Sequence, residues 1–234
     1  MYVYGKNVVH EIIKNKKKIK NAFLYTDFSD NKIIDNLKYN GVKMKFLTKV
    51  ELDRLVDGNH QGIVVEIDNY EYCDIDELLV KEDPLLIILD HLEDPHNFGA
   101  IIRTCEAAGV DGIIIPKNRS VDVNSTVMRT SVGALDNVKI AQITNLKNTI
   151  NYLKDKGFWI VGTDMAGTHY QKIDYKGKIA IVTGSEGFGM SRIVKEACDF
   201  IATIPMKGSI NSLNASVATA LVVYEAVNQR SNEL

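Results

Sequence analysis

Two stretches near the C-terminus of this chain of 234 residues decide its fold: IVTGSEGFG (residues 181–189) and FIATIPMKGSINSLNASVATALVVYEAV (residues 200–227). In each, an apolar run ends in a loop rich in Gly, Ser and Asn, and the second loop leads directly into a long apolar segment. Glycine allows tight turns and close approach of the backbone to a ligand, and a helix N-terminus offers unpaired N–H donors. These loops therefore predict a cofactor pocket built mostly from main chain.

Apolar runs typical of strands alternate with segments of helical spacing along the chain, which predicts an α/β fold. A polar, acidic stretch, NYEYCDIDELLVKED, separates a first alternation from a second that begins at Pro84. The run PLLIILD that follows is apolar almost throughout, as in a strand buried on both faces of a parallel sheet. Further along, the pattern predicts a helix from Asn97 to Ala108 and a strand from Phe158 to Asp164. We predict a small α/β domain at residues 1–70, a linker at 71–83, and a domain at 84–234 with a mostly parallel sheet and helices on both faces.

Composition excludes several classes of protein. The content of 45% hydrophobic and 25% charged residues is typical of a soluble globular chain. The cysteines, Cys73, Cys105 and Cys198, are widely spaced, which argues against a disulfide framework and a zinc site. No apolar segment suits a signal sequence or a membrane span. We expect a cytoplasmic protein that uses no metal and contacts no membrane.

Charge is uneven along the chain. Residues 1–70 hold 12 Lys/Arg against 9 Asp/Glu, whereas the formal net charge of the whole chain is -2. The basic run KNKKKIK (residues 14–20) lies in this positive part. Such a cluster favours contact with nucleic-acid phosphates, although it is also typical of a solvated helix end.

Three polar loops follow predicted strands, at residues 90–109, 183–189 and 205–216. Ligands bind beyond the carboxyl ends of parallel strands, so polar side chains in these loops are candidates for a site. The candidates are Asn97, Arg103, Glu186, Ser212 and Asn214.

Each candidate also has a purely structural explanation. Asn97 and Asn214 are placed to cap helices, Ser212 lies beside the second of them, Arg103 is suited to a surface ion pair, and Glu186 to a solvated turn. Because the strand ends meet at one edge of the sheet, the whole set together favours a shared site.

The glycine pattern GSEGFG does not predict a dinucleotide site. That fingerprint is GxGxxG after the first strand, with an acidic residue about 20 positions later. Here the order is GxxGxG and it lies near the end of the chain. No GxxxxGK[ST] or HExxH pattern is present either. His91 and His96 leave a ligand or base role open, although ordinary polar loop residues are the more common case.

The segments DHLEDPHNFGAIIRT (residues 90–104), IVTGSEGFG (181–189) and IPMKGSINSLNASVA (204–218) resemble the three motifs of the SpoU (TrmH-like) branch of the SPOUT RNA methyltransferases. The resemblance covers residues 84–234. The first domain, with YGKNVVHEII (4–13) and NHQGIVVEI (59–67), is similar to the family's small RNA substrate-binding domain, which resembles ribosomal protein L30e. The HQGI segment is most similar to the subgroup that methylates a guanosine ribose in the peptidyl-transferase P loop of 23S ribosomal RNA.

The resemblance implies a C-terminal domain tied in a deep trefoil knot, an obligate homodimer, and S-adenosylmethionine bound in the knot. It implies transfer of the methyl group to a ribose 2′-hydroxyl of 23S ribosomal RNA. Asn97, Arg103, Glu186, Ser212 and Asn214 match the catalytic and substrate positions of the family. The positions that match its cofactor contacts are Thr183, Gly184, Ile204, Met206, Gly208 and Leu213.

The family assigns activation of the ribose hydroxyl to the arginine of its first motif, which is Arg103 here. Because a guanidinium stays protonated in proteins, we expect Arg103 to stabilise the developing alkoxide as a cation. Three other functions stay open. They are a tRNA ribose methyltransferase of the same family, a non-enzymatic RNA-binding or ribosome-assembly protein, and a nicotinamide oxidoreductase. The complete set of matching residues disfavours the second, and the order of glycines disfavours the third.

Overall fold

The computed structural model describes residues 1–185 and 187–231. The strands are β1 (Tyr2–Tyr4), β2 (Ile19–Tyr25), β3 (Lys43–Leu47), β4 (Ile63–Ile67), β5 (Leu85–Asp90), β6 (Gly112–Pro116), β7 (Ile140–Ile143), β8 (Trp159–His169), β9 (Ile179–Gly184) and β10 (Phe200–Thr203). The α-helices are α1 (Lys6–Lys14), α2 (Asn31–Tyr39), α3 (Lys49–Asp53), α4 (Pro95–Ala108), α5 (Ser125–Ser131), α6 (Leu146–Asp155), α7 (Arg192–Ala197) and α8 (Ala215–Ser231). Short 3-10 helices occur at Ile75–Leu78, Ala134–Asp136 and Tyr170–Lys172.

The chain forms two compact units. The first comprises Met1–Glu71 together with Val123–Gly133, which contains α5. The second comprises Tyr72–Asp122 and the described residues from Ala134 onward. From sequence, the segment around α5 is part of the predicted second domain, and nothing in its pattern indicates that it packs with the first unit.

A four-stranded sheet in the order β1-β4-β2-β3 forms the centre of the first unit. β2 and β3 are parallel, and the other two pairs are antiparallel. One face of the sheet is buried through alternate residues such as Val3, Leu24 and Val65, and the apolar sides of α1 and α2 are buried as well. On the opposite face, α3 packs Leu52 against Tyr4.

The HQGI segment closes the turn before β4. His60 is buried, its Nδ1 accepts the N–H of Gly62 at 2.9 Å, and its Nε2 lies 3.0 Å from Asp53 Oδ1. Because Nδ1 is the acceptor, Nε2 carries the proton and donates to the carboxylate. Gln61 Oε1 accepts the N–H of Lys6 at 2.8 Å, at the start of α1. The segment that carries the similarity to the 23S subgroup therefore also has a structural role in this chain.

The second unit is built on a sheet in the order β10-β8-β9-β5-β6-β7, in which every pair is parallel. All residues of the central strands β5 and β9 are buried, as their apolar runs predict. Leu86 of β5 and Val182 of β9 pack in a cluster that includes residues of α6 and α7. Thr183 points to the opposite face, where it meets α8. The predicted parallel α/β architecture with helices on both faces is confirmed.

Two element boundaries differ from the predictions. The helix predicted to begin at Asn97 begins at Pro95, because Asp94 Oδ1 accepts the N–H of His96 at 3.0 Å and caps it. The strand predicted to end at residue 164 continues to His169. The extension pairs with the end of β10 after a shift of register between Ile201 and Ala202.

Candidate active site

Two of the predicted loops meet where β5 and β9 end side by side, with Asp90 paired to Gly184 in the sheet. Asp90 is 1% exposed, and its Oδ2 accepts the N–H of Ser191 at 2.6 Å. Its Oδ1 contacts Nδ1 of His91. This buried carboxylate fixes the first loop against the end of the second. It was not among the predicted site residues, although an aspartate that ends a run of buried strand residues is a usable signal.

The first and third loops are joined by a hydrogen bond between two predicted site residues. Asn214 Nδ2 donates to Asn97 Oδ1 at 2.9 Å. Asn97 is buried, and its Nδ2 donates to Asp94 Oδ2 at 2.7 Å, which sets the orientation of the amide. Asn97 therefore does not cap α4, and the structural explanation considered for it is wrong. The structure instead makes it the link between α4 and the residue that precedes α8.

Asn214 also caps α8, as predicted. Its Oδ1 accepts the N–H of Ser216 at 3.0 Å, the hydroxyl of Ser216 at 2.6 Å and, more weakly, the N–H of Val217 at 3.4 Å. A cap satisfies amides that a helix N-terminus leaves unpaired. The same side chain thus holds the start of α8 and connects it to α4.

Two buried threonines connect the start of the second loop to α8, the helix that follows the third loop. The hydroxyls of Thr183 and Thr219 lie 3.0 Å apart, and Thr219 Oγ1 donates to the carbonyl of Ala215 at 2.7 Å. Both side chains are buried. Thr183, a predicted cofactor residue, is therefore engaged in anchoring α8 to β9.

The glycine-rich second loop folds back on itself. Ser185 and Gly189 exchange backbone hydrogen bonds of 3.1 and 2.9 Å. A Cβ added to Gly184 would lie 2.1 Å from the carbonyl carbon of Gly189. The loop's own packing therefore requires glycine at position 184, independently of any ligand. The predicted site residue Glu186 lies outside the described residues.

The third loop presents main-chain groups that a ligand could engage. Among the described residues, 205–213 take part in no backbone–backbone hydrogen bond. Met206, Gly208 and Ser212 are exposed, and Ile204 and Leu213 are half-buried. An added Cβ on Gly208 would meet nothing within 4 Å. Open amides and carbonyls beside a thioether and a leucine side chain fit a nucleoside cofactor held through main chain and apolar contact.

Arg103 is not brought to the Asn97–Asn214 pair. It lies on α4 six residues after Asn97, which places it about 120° away around the helix axis. Its side chain is exposed and has no hydrogen bond or ion pair with another described residue. The surface ion pair considered from sequence is therefore absent from the described part of the chain, and the guanidinium is available to a phosphate or a partner.

The cysteine thiols are not suited to nucleophilic chemistry. Burial, with nearby carboxylates adding to it, raises the pKa of Cys198 to about 12. Burial raises the pKa of Cys105 well above the ordinary value, and burial beside Glu77 raises the pKa of Cys73. The thiolate is the reactive form, so all three side chains stay protonated and unreactive near neutral pH.

Two classes of feature are not found in the described ranges. Within residues 1–185 and 187–231, no group of three or more His, Cys, Asp or Glu side chains is placed to hold a metal ion. None of the helices in these ranges combines the length and the apolar character needed to cross a membrane.

Comparison with known proteins shows to which family the chain belongs. Residues 84–224 match the model of the SpoU rRNA Methylase family, and residues 2–73 match a model described as RNA 2′-O ribose methyltransferase substrate binding. The chain belongs to the SpoU rRNA methylase family. Its chemistry is methylation of RNA with S-adenosylmethionine, which confirms the predicted class of enzyme and the predicted cofactor.

Relatives and solved structures agree with this membership. A TrmH family tRNA/rRNA methyltransferase of Bacillus subtilis is 40% identical over 239 residues, which is 98% of this chain and 96% of the relative. The SpoU methyltransferase AviRb of Streptomyces viridochromogenes, solved with AdoMet, has a TM-score of 0.83 at 23% identity and covers 99% of this chain and 90% of its own. An AdoMet-bound rRNA methyltransferase of Sinorhizobium meliloti has a TM-score of 0.77 at 26% identity, covering 100% and 87%. The SpoU methyltransferases are knotted, so the predicted knotted fold is confirmed as well.

Proposed function

We propose that this SpoU methylase transfers a methyl group to the ribose 2′-oxygen of a guanosine in 23S ribosomal RNA. The observation that carries the proposal is the Asn97–Asn214 hydrogen bond. It holds α4, the helix of Arg103, against the loop whose main chain is open to a cofactor. The relation at 26% identity to an AdoMet-bound rRNA methyltransferase over 100% of this chain supports a ribosomal substrate. The similarity of the HQGI segment supports the 23S subgroup.

The cofactor would be held mainly by the backbone of Ile204, Met206, Gly208 and Leu213, with Gly184 and Thr183 shaping the neighbouring loop. S-adenosylmethionine would supply a methyl group that is already activated as a sulfonium. Its carbon–sulfur bond would break as the bond to the ribose oxygen forms, S-adenosylhomocysteine would leave, and the hydroxyl proton would pass to solvent. The protein therefore has to align the ribose oxygen with that methyl group, and such alignment is worth up to about 7–11 kcal/mol.

Arg103 is proposed as the cation at the reacting oxygen. A guanidinium stays protonated, so it is suited to stabilise a developing alkoxide and to hold an adjacent phosphate, and unsuited to accept the hydroxyl proton. Removing one such electrostatic partner typically lowers a rate about 10²–10³-fold. Asn97 orients the ribose or the Arg103 of a second copy, because its own Arg103 lies on another side of α4. Ser212 and Asn214 shape the pocket at the start of α8, and Glu186 holds a backbone donor or a partner's arginine.

A homodimer is part of the proposal. Val217, Leu221 and Tyr224 form one exposed stripe on α8, at 47%, 39% and 50% exposure, whereas Val222 and Val223 on the other side are buried. Thr104 of α4 lines the same groove. A helix that is apolar on both sides needs a second partner. A second copy would cover the stripe next to the α4 face that bears Arg103.

The remaining expectations join the same proposal. Residues 1–70 would form the domain that binds the RNA, residues 84–234 would form the domain that carries the catalytic site, and residues 71–83 would be the linker between the two domains. Since ribosomal RNA is the proposed substrate, a cytoplasmic location follows. One alternative has an observation in its favour: the Bacillus subtilis relative is described as acting on tRNA or rRNA. A tRNA ribose methyltransferase therefore stays the second candidate.

The test is methylation of purified 23S ribosomal RNA and of transfer RNA with labelled S-adenosylmethionine, followed by alkaline hydrolysis. A 2′-O-methyl group blocks cleavage at its own nucleotide, so the proposal predicts label in an alkali-resistant dinucleotide that begins with guanosine and comes from 23S RNA. Label in transfer RNA alone would show that the substrate is transfer RNA and not 23S RNA. Label on a base would contradict transfer to the ribose, and no transfer at all would favour a binding protein.

The dimer is tested by light scattering, where Leu221→Glu is expected to give a monomer.

A further inference from the structure

In the first unit, one face of the sheet presents aromatic and basic side chains in two rows that run across the strands. Directly paired residues share a face, and the register defines two rows across the four strands. The rows are Tyr2, Glu66, Asn21 and Lys43, and then Tyr4, Val64, Phe23 and Lys45. We refer to Tyr2, Asn21, Phe23, Lys43, Lys45 and Glu66 as the open sheet face.

The cluster around Leu52 of α3 covers the neighbouring part of this face at Tyr4, and the ring of Phe23 packs against the border of that cluster. Tyr2 is 39% exposed, both lysines are exposed, and Phe23 is half-buried. Neither lysine has an ion-pair partner among the described residues. Aromatic and basic side chains placed side by side on one sheet face offer a stacking surface together with phosphate partners.

The groups on this face match the chemistry of RNA. The rings of Tyr2 and Phe23 lie 5.8 Å apart in an edge-to-face arrangement, and Lys45 Nζ lies 6.0 Å from the Phe23 ring. At the border, the Arg129 guanidinium lies 5.5 Å from the ring of Tyr4. Glu66 is the one acidic member of the open sheet face, and its carboxylate accepts from Asn21 Nδ2 at 2.6 Å. Basic groups therefore outnumber acidic ones around the exposed ring of Tyr2 and the half-buried ring of Phe23.

We propose that the open sheet face binds a single-stranded segment of the substrate RNA, with a base stacked on Tyr2 and phosphates beside Lys43 and Lys45. The inference rests on the proposed function and names the surface that selects its RNA. Bases stack on aromatic side chains only when they are unpaired, and lysines neutralise backbone phosphates. A protein partner fits less well, since the centres of protein interfaces are depleted of lysine.

The experiment measures binding of the full chain to a fluorescein-labelled oligouridine of about 16 nucleotides, by anisotropy over a range of salt concentrations. The variants are Lys43→Ala with Lys45→Ala, and Tyr2→Leu. Lys32→Ala with Lys38→Ala, on exposed positions of α2, removes the same charge from the same unit and serves as the matched control. Melting temperatures near that of the wild type confirm that each variant is folded.

Loss of two phosphate contacts should reduce the slope of log affinity against log salt by about 1.4 for the Lys43/Lys45 variant. Tyr2→Leu should weaken binding roughly tenfold without changing that slope, because it removes stacking and no charge. Both should raise KM for RNA and leave kcat at saturating RNA unchanged. If both variants keep the wild-type affinity and slope and still transfer methyl groups, the open sheet face is not the RNA-binding surface, and the proposed function is unaffected. Absence of RNA binding and transfer by the wild type would overturn both.

Discussion

Replacement of Asn214 tests the hydrogen bond that joins the first and third loops, and the structure allows the loss of stability to be estimated. Asn214→Ala removes the cap of α8, which costs about 0.5–2 kcal/mol. It also removes the hydrogen bond to the buried Asn97, which is worth about 0.5–1.5 kcal/mol. The sum, about 1–3.5 kcal/mol, corresponds to a fall in melting temperature of roughly 2–14 °C for a chain of this size.

Two further variants separate the cap from the link. Asn214→Asp keeps an oxygen for Ser216 N–H but loses the donor to Asn97, so we expect about half the loss of stability. Asn145→Ala removes a cap of α6 that accepts only the N–H of Asn148 at 3.0 Å, and should cost about 1 kcal/mol. Both Asn214 variants should weaken S-adenosylmethionine binding in calorimetry, whereas Asn145→Ala should not. A melting temperature for Asn214→Ala within about 1 °C of the wild type, with unchanged cofactor affinity, would refute this reasoning.

The other predictions concern two glycines, a helix cap and a thiol. Gly184→Ala should destabilise the chain by roughly 1–3 kcal/mol in urea unfolding, because its Cβ would overlap the facing loop backbone. Gly208→Ala should unfold with a free energy within about 0.5 kcal/mol of the wild type, because an added Cβ there meets nothing within 4 Å. A fall in cofactor affinity in this variant would therefore indicate direct contact with the cofactor. Unchanged affinity would show that Gly208 does not line the pocket. Asp30→Ala should cost about 1 kcal/mol at pH 7, since Asp30 caps α2. Burial alone would raise the pKa of Asp30, but its hydrogen bonds lower it below the ordinary value. This lowered pKa gives stability that is present above about pH 4 and lost as the pH falls through the folded-state pKa, so the difference between wild type and variant should shrink in acid. Cys198, with its pKa near 12, should resist iodoacetamide at pH 8 in the native protein and react after unfolding, as peptide mass analysis would show.

The parallel sheet could be predicted because its central strands differ from the others in composition. β5 and β9 are apolar at nearly every position, which occurs only when both faces are covered. Once strands are parallel, the residues that follow them gather at one edge. The position of Asp90 beside Gly184 is the result of that rule.

The contacts that define the site could not be predicted from local patterns. Asn97 and Asn214 are 117 residues apart, and Asp90 and Ser191 are 101 apart. Periodicity reports which side of a segment is buried and carries no information on which distant segment buries it. The packing of α5 with the first unit was missed for the same reason. The knot was expected from family resemblance alone.

The most direct test of the central claim compares methyl transfer by the wild type, Arg103→Ala and Arg192→Ala. Arg192 is an exposed arginine of the same unit, paired with Glu196 at 2.7 Å, and controls for loss of a surface charge. Each enzyme is given labelled S-adenosylmethionine and total RNA, and cofactor binding is measured in parallel.

We predict that Arg103→Ala loses at least about a hundredfold in transfer to large-subunit ribosomal RNA while its affinity for the cofactor stays within about twofold. Arg192→Ala should match the wild type. Transfer by Arg103→Ala at close to the wild-type rate would contradict the proposed role of Arg103 at the reacting oxygen.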